Sequence, residues 1–220
     1  MQNIIRFSIF GNFERFNTNN LDMYLKLIDF FRQKSYKPAT ANELQLQTSG
    51  QAGQARIIIM PIFFNDMGAS VEISSNRINF QKIIDIKSSV SSLNEAFRNE
   101  FTDLLSLFLA DMELTANRVA LNYDIFDINI NNKMPIVSSY YKSSNNVEMS
   151  VRNMSRIMVE NENSNVITEK YVDLSNNIVK YSYDINTMAE NQIMRFNFSN
   201  IPKMYKSYMD ISLEIEKGME

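Results

Sequence analysis

Asp66, Asp85 and Lys87 are the residues whose types and spacing best fit a reaction centre. An acidic residue followed later by Asp-x-Lys is the pattern of a metal-dependent nuclease core. In such a core carboxylates hold Mg²⁺ and the lysine assists the attacking water. The structural alternative is plain: Asp66 falls in an expected turn, and Ile83-Ile84-Asp85-Ile86-Lys87 reads as a strand with solvated polar residues. Triplets of this kind arise by chance in most chains of this length. Asp124, Asp127 and Asn129 lie along a second strand, where Asp127 and Asn129 share a face and with a third oxygen ligand would hold a divalent cation. Their simpler role is the solvent face of a half-buried strand.

The rest of the catalytic repertoire is missing. The 220 residues contain no His and no Cys. That removes Ser-His-Asp and Cys-His catalysis, histidine and thiolate metal sites, and the usual general base near neutral pH. The 5 glycines are spaced neither for a phosphate-binding loop nor for a dinucleotide fingerprint. The expectation is a non-catalytic protein with no metal site and no cofactor.

Binding is the remaining class. Tyr140-Tyr141-Lys142, Tyr181, Tyr183, Tyr205 and Tyr208 make the second half aromatic and dotted with lysine, a composition that can stack on bases. The net charge of −3 and the scattered Lys and Arg oppose a nucleic-acid footprint. Many of the 14 methionines also fall in the second half, among them Met149, Met154, Met158, Met188, Met194, Met204 and Met209. Methionine fills gaps in cores and adapts well at partner surfaces. Tyr205, Tyr208, Met204 and Met209 are therefore the expected partner-binding residues, on the last helix.

These residues need elements to position them. The longest helical signal is Ser91 to Ala116, with Leu93, Phe97, Phe101, Leu104, Leu105, Phe108 and Met112 on one face and Ser92 and Glu95 spaced as a capping box. Leu21 to about Lys34 reads as a helix capped by Asn19 or Asn20. Pro202 to Lys217 reads as a third, with Pro202 in its first turn. Strands are expected at Ile4–Phe13, Glu43–Gln47, Arg56–Phe64, Ala69–Ser74, Arg77–Phe80, Arg118–Ile130, Val147–Val159, Val166–Leu174, Ile178–Ile185 and Asn191–Phe198. Changes of parity predict bulges near Ile125–Phe126 and Asn153, and Pro61 predicts an edge or bulge.

Runs of strands joined by short turns imply an α+β fold, mainly antiparallel sheet around a long central helix (about 91–116), with an N-terminal helix (about 21–34) and a C-terminal helix (about 202–217). The chain reads as a single cooperative unit over 1–220, or as two intimately packed lobes, 1–88 and 89–220. The start Met1-Gln2-Asn3-Ile4-Ile5-Arg6 lacks the regions of a signal peptide, and the apolar run Ile57 to Phe64 is too short to span a bilayer. A soluble, cytoplasmic protein is expected.

The layout resembles a sporadically distributed family of uncharacterised bacterial proteins. The likeness lies in an early sheet leading into a strand like Val71-Glu72-Ile73-Ser74-Ser75-Asn76-Arg77-Ile78-Asn79-Phe80, then a long helix, a strand like Arg118-Val119-Ala120-Leu121-Asn122-Tyr123, and a terminal helix like Pro202 to Lys217. The resemblance implies a small bacterial accessory protein and carries over no activity and no site residue.

The function expected from the sequence is a non-catalytic interaction or accessory subunit of a bacterial or phage multi-protein assembly, a defence system being one such setting. Its partner would be another protein subunit encoded nearby, docked through an apolar aromatic and methionine patch or an exposed sheet edge. The alternatives are a nucleic-acid-binding accessory factor, a divalent-metal nuclease and a phage structural protein.

Overall fold

The chain alternates apolar and polar residues over most of its strands, and the structure, a computed structural model, turns that alternation into one sheet with two unlike faces. It describes residues 2–46, 55–85, 90–127, 148–173, 178–189 and 192–217. The strands are β1 (Gln2–Phe10), β2 (Lys37–Leu46), β3 (Ala55–Phe64), β4 (Ala69–Ile73), β5 (Arg77–Asp85), β6 (Thr115–Ala116), β7 (Arg118–Asp127), β8 (Glu148–Val159), β9 (Glu162–Asp173), β10 (Ile178–Thr187) and β11 (Phe196–Asn197). Nine of them form one antiparallel sheet in the order β2-β3-β4-β5-β1-β7-β10-β9-β8, and β11 pairs with β6 in a separate two-stranded piece. The large sheet draws on both halves of the chain, so the α+β class with a large antiparallel sheet is as expected.

Register carries the apolar pattern from strand to strand. Phe7 of β1 lies opposite Phe80 of β5 and Leu121 of β7, and Tyr123 of β7 lies opposite Tyr183 of β10. All of these are buried, on the face that the helices cover. Arg6, Ser8, Asn79, Gln81, Asn122, Asp124 and Asp184 occupy the alternate positions and make the other face polar.

Among the described residues three α-helices, α1 (Leu21–Arg32), α2 (Val90–Asp111) and α3 (Ile201–Lys217), accompany the sheet. The Asn20 side chain accepts from the Met23 N–H and caps α1. α1 and α2 end in the same way. At α1 the Tyr36 N–H donates to Phe31 O and the Ser35 N–H to Arg32 O, with Ser35 at φ 65°. At α2 the Leu114 N–H donates to Leu109 O and the Glu113 N–H to Ala110 O, with Glu113 at φ 46°. Both are Schellman closures with a left-handed residue that is not glycine. The helical signal of Ser91–Ala116 therefore stops at Asp111, and its last residues turn over into β6.

Aromatic rings join the layers. Phe31 stacks on Phe63 at 4.2 Å, and Phe80 meets Phe101 and Phe108 edge-on at 5.6 and 5.8 Å. Phe7 meets Tyr205 of α3 edge-on at 5.1 Å. Arg98 of α2 pairs with Asp210 of α3, and Lys26 of α1 donates to Asp111 O of α2 at 2.8 Å.

Several expectations shift. β2 begins at Lys37 and includes Pro38, tolerated because β2 among the described residues is an edge strand paired with β3 alone. β3 pairs with β4 only from Ile62 to Phe64, so Pro61 sits where that ladder ends. The expected bulges near Phe126 and Asn153 are absent: both registers run unbroken. Phe126 turns to the polar face beneath Lys180, 5.7 Å from its ring, and β8 is exposed on both faces from Ser150 to Arg156 before Ile157 and Val159 reach the core, so neither obeys the core's alternation. The connection between the expected strands Val147–Val159 and Val166–Leu174 shrinks to Glu160 and Asn161, because β9 already starts at Glu162.

Candidate functional site

The partner-binding residues expected on the last helix lie in the core. Met204, Tyr205, Tyr208 and Met209 are at most 3% exposed. Tyr205 packs on Phe7 and Phe97 and donates to Phe97 O at 3.3 Å. Tyr208 shares a 2.8 Å hydrogen bond with the Ser164 hydroxyl of β9. Burial pushes both phenols above the ordinary tyrosine value, the more so because an anion would lie in a low-dielectric interior. This face of α3 joins the helix to the sheet and is not an outward patch. The stripe that reads as a docking face from sequence is the stripe any packed helix needs.

The nuclease residues do not assemble into a described centre. Asp66 lies exposed in the β3–β4 turn, and both its oxygens take the Lys37 ammonium, at 2.7 and 2.8 Å. Asp85 ends β5 opposite Gln2, and Lys87 lies outside the described residues. Asp124 is paired to Lys180 at 2.9 Å and accepts from Ser182 at 2.7 Å. Asp127 ends β7, while Asn129 and Tyr140-Tyr141-Lys142 fall outside the described residues. Among the described residues, no group of acidic side chains could hold a metal ion.

An inward-facing ionic cluster joins β5 to α2. Lys82 follows Ile78 and Phe80 on the helix-covered face, and its Nζ stands 3.5 Å from Glu100 Oε2. Glu100 Oε1 accepts from the Tyr36 hydroxyl at 2.5 Å and from Asn65 Nδ2 at 2.9 Å. Burial, and then the neighbouring Glu100 carboxylate, push the Tyr36 hydroxyl far above its ordinary range, so it remains a donor. Beside it a shallow cleft of about 190 Å³ is lined by Lys34, Tyr36, Glu100, Asp103, Leu104 and Leu107. The cluster ties four segments together, and each of its charges has a partner. That pairing clamps the sheet to α2. Its signal was present in the sequence. Lys82 continues the parity of Ile78 and Phe80, and Glu100 interrupts the apolar stripe between Phe97 and Leu104.

The sheet's outer edge at β8 is the open feature. Among the described residues β8 pairs with β9 alone, through an unbroken register from Glu148↔Asp173 to Val159↔Glu162. The connecting residues Glu160 and Asn161 have φ 49° and 66°, the two positive values of a type I′ hairpin turn. In such a hairpin the flanking pair, Val159 and Glu162, exchanges both backbone hydrogen bonds, and the pattern alternates from there. The N–H and C=O of Ser150, Arg152, Met154, Arg156 and Met158 therefore point away from β9. These residues are exposed, Met154 at 59% and Met158 at 65%, and no proline or bulge interrupts the strand. Edge strands of folded proteins are commonly blunted by such devices.

No protein family, curated protein or solved structure matches the chain. Among the described residues no helix is long and apolar enough to cross a membrane.

Proposed function

We propose that this protein is a non-catalytic interaction subunit of a bacterial or phage multi-protein assembly, and that it docks its partner by adding a strand to β8. The observation that carries the proposal is the row of outward backbone groups from Ser150 to Met158, on a strand that among the described residues is paired on one side only. Main-chain hydrogen bonds supply affinity in this mode of recognition, and alternate side chains supply selectivity. The exposed Met154 and Met158 add an adaptable apolar contact. The partner is another protein subunit encoded nearby, and the setting is the cytoplasm.

The test is co-expression with the products of neighbouring genes, followed by measurement of the mass of the purified complex. Met154→Pro removes an N–H that points away from β9, so the hairpin keeps its own ladder. A complex of defined stoichiometry that is lost on Met154→Pro, in a variant that unfolds at the parent's denaturant midpoint, is the expected result. A complex that survives the substitution undiminished places the contact elsewhere. A chain that stays monomeric beside every neighbour overturns the subunit role.

A further inference from the structure

We infer that the strand received by β8 is acidic, with carboxylates at alternate positions facing Arg152 and Arg156. The inference rests on the reading of β8 as a docking edge and names the chemistry of its occupant. The residues whose backbone points outward are also the ones whose side chains share the sheet's helix-free face. There they run Ser150, Arg152, Met154, Arg156, Met158. Arg152 and Arg156 thus flank Met154 along one line, their Cα atoms about 13 Å apart at the strand's rise per residue. β9 sets one carboxylate against the two guanidiniums, so a positive charge is left over on this face of the hairpin. Glu169 lies opposite Arg152 but accepts from the Ser150 hydroxyl at 2.6 Å, and Arg156 faces Asn165, its Nε 3.4 Å from Asn165 Oδ1.

An incoming antiparallel strand places its own same-face side chains about 5 Å from these residues. Opposite charges at that spacing stabilise the pair, and like charges directly across destabilise it. Carboxylates two positions apart on either side of an apolar residue would meet Arg152 and Arg156 while the apolar residue covers Met154. Self-pairing is disfavoured by the same chemistry. If β8 paired with β8 of a second copy about Met154, Arg152 would face the other copy's Arg156. If it paired about Arg152, the two Arg152 side chains would meet. Those two registers are disfavoured, and the register about Asn153, which sets Arg152 opposite the other copy's Met154 and Arg156 opposite its Ser150, brings no carboxylate to either guanidinium; a partner strand of opposite charge does.

The test uses the full chain and two synthetic peptides of β8's length, free of proline. One alternates Glu with Val or Thr on its two faces, and the other carries Lys in place of Glu. Binding is read by fluorescence anisotropy at low salt and again at high salt. The expected result is preference for the Glu peptide by about tenfold, shrinking as salt rises. The double variant Arg152→Glu/Arg156→Glu should reverse that preference, and Met154→Pro should abolish binding of both peptides.

Equal binding of the two peptides, lost on Met154→Pro, overturns the acidic partner and leaves the docking edge standing. Binding that ignores Met154→Pro overturns the edge and the inference with it. Failure of both peptides to bind overturns the inference, as does a dimer of the unliganded chain that Met154→Pro dissolves.

Discussion

Lys82 Nζ stands 3.5 Å from Glu100 Oε2 with both side chains almost wholly enclosed, so a sheet residue and a helix residue neutralise each other inside the layer interface. Removing one partner of such a pair strands the other charge where little water reaches it. Lys82→Met should therefore lower the unfolding free energy by about 3 kcal/mol, measured by urea denaturation. The double variant Lys82→Met/Glu100→Gln should lose less than the two singles together, because no orphan charge remains and the new amide oxygen still accepts from Tyr36 and Asn65. A double variant as unstable as the sum of the singles would mean that the two charges are not coupled.

Tyr36, Tyr205 and Tyr208 make stability fall in alkali. Burial raises each phenol above the ordinary value of 10.0, with the Glu100 carboxylate adding to the effect at Tyr36. Below pH 10 the folded and unfolded chains both hold these protons, and the contribution is fully present. Above it the unfolded chain releases protons that the folded chain retains, so unfolding gains free energy at about 1.4 kcal/mol per pH unit for each tyrosine. Denaturant midpoints should stay flat from pH 8 to about pH 10 and then drop. Tyr208→Phe should make that drop less steep while costing about 1 kcal/mol at pH 8 through its lost bond to Ser164.

Tyr205→Ala and Tyr208→Ala should act as core deletions. Each removes a ring that is at most 3% exposed, at a cost of about 3–5 kcal/mol. Any loss of partner binding should track the unfolded fraction, and lowering the temperature until the variant is folded should restore it. Binding that stays lost in the folded variant would return α3 to the interface.

The apolar alternation of β1, β5, β7 and β10 was legible because both neighbours and the helix layer enforce it on every second residue. So was the α+β class, which follows from strands in runs. Burial of individual residues was not legible. Tyr205 and Met154 are both apolar residues in the second half of the chain, yet one is enclosed by Phe7 and Phe97 and the other stands on an outer strand. Which strand ends a sheet depends on pairing between distant segments, so β8 carried no local mark of its edge position. The clamp was partly legible, because Lys82 and Glu100 each break an apolar pattern. Their meeting depends on how α2 lies across β5, which neither segment encodes alone.

Glu113 holds a conformation better suited to glycine. Its φ of 46° closes α2, and the same geometry recurs at Ser35 after α1. A side chain at such a position carries steric strain that glycine avoids. Glu113→Gly should stabilise the chain by about 0.5–1 kcal/mol, raising the thermal midpoint by a few degrees. A fall in the midpoint would mean that the Glu113 side chain makes a contact outweighing the strain.

Gly68 is the converse case, a glycine that its surroundings require. It turns the chain from β3 into β4 at φ 77°, and a Cβ there would lie 2.5 Å from Ile83 O. The clash is with backbone, and that backbone is pinned because the Ile83 N–H donates to Gly68 O at 2.9 Å. The same turn is shaped by Asn65, whose Oδ1 accepts from the Met67 and Ala69 N–H groups while its Nδ2 donates to Glu100. Gly68→Ala must therefore shift β5 or twist the turn away from Asn65, and either movement disturbs the Lys82–Glu100 clamp. Its cost should exceed about 1 kcal/mol, the ordinary cost of alanine at a positive φ. In a Glu100→Gln background the clamp is already weakened, so the two costs should sum to more than the double variant loses. Strict additivity would show that the turn and the clamp act independently.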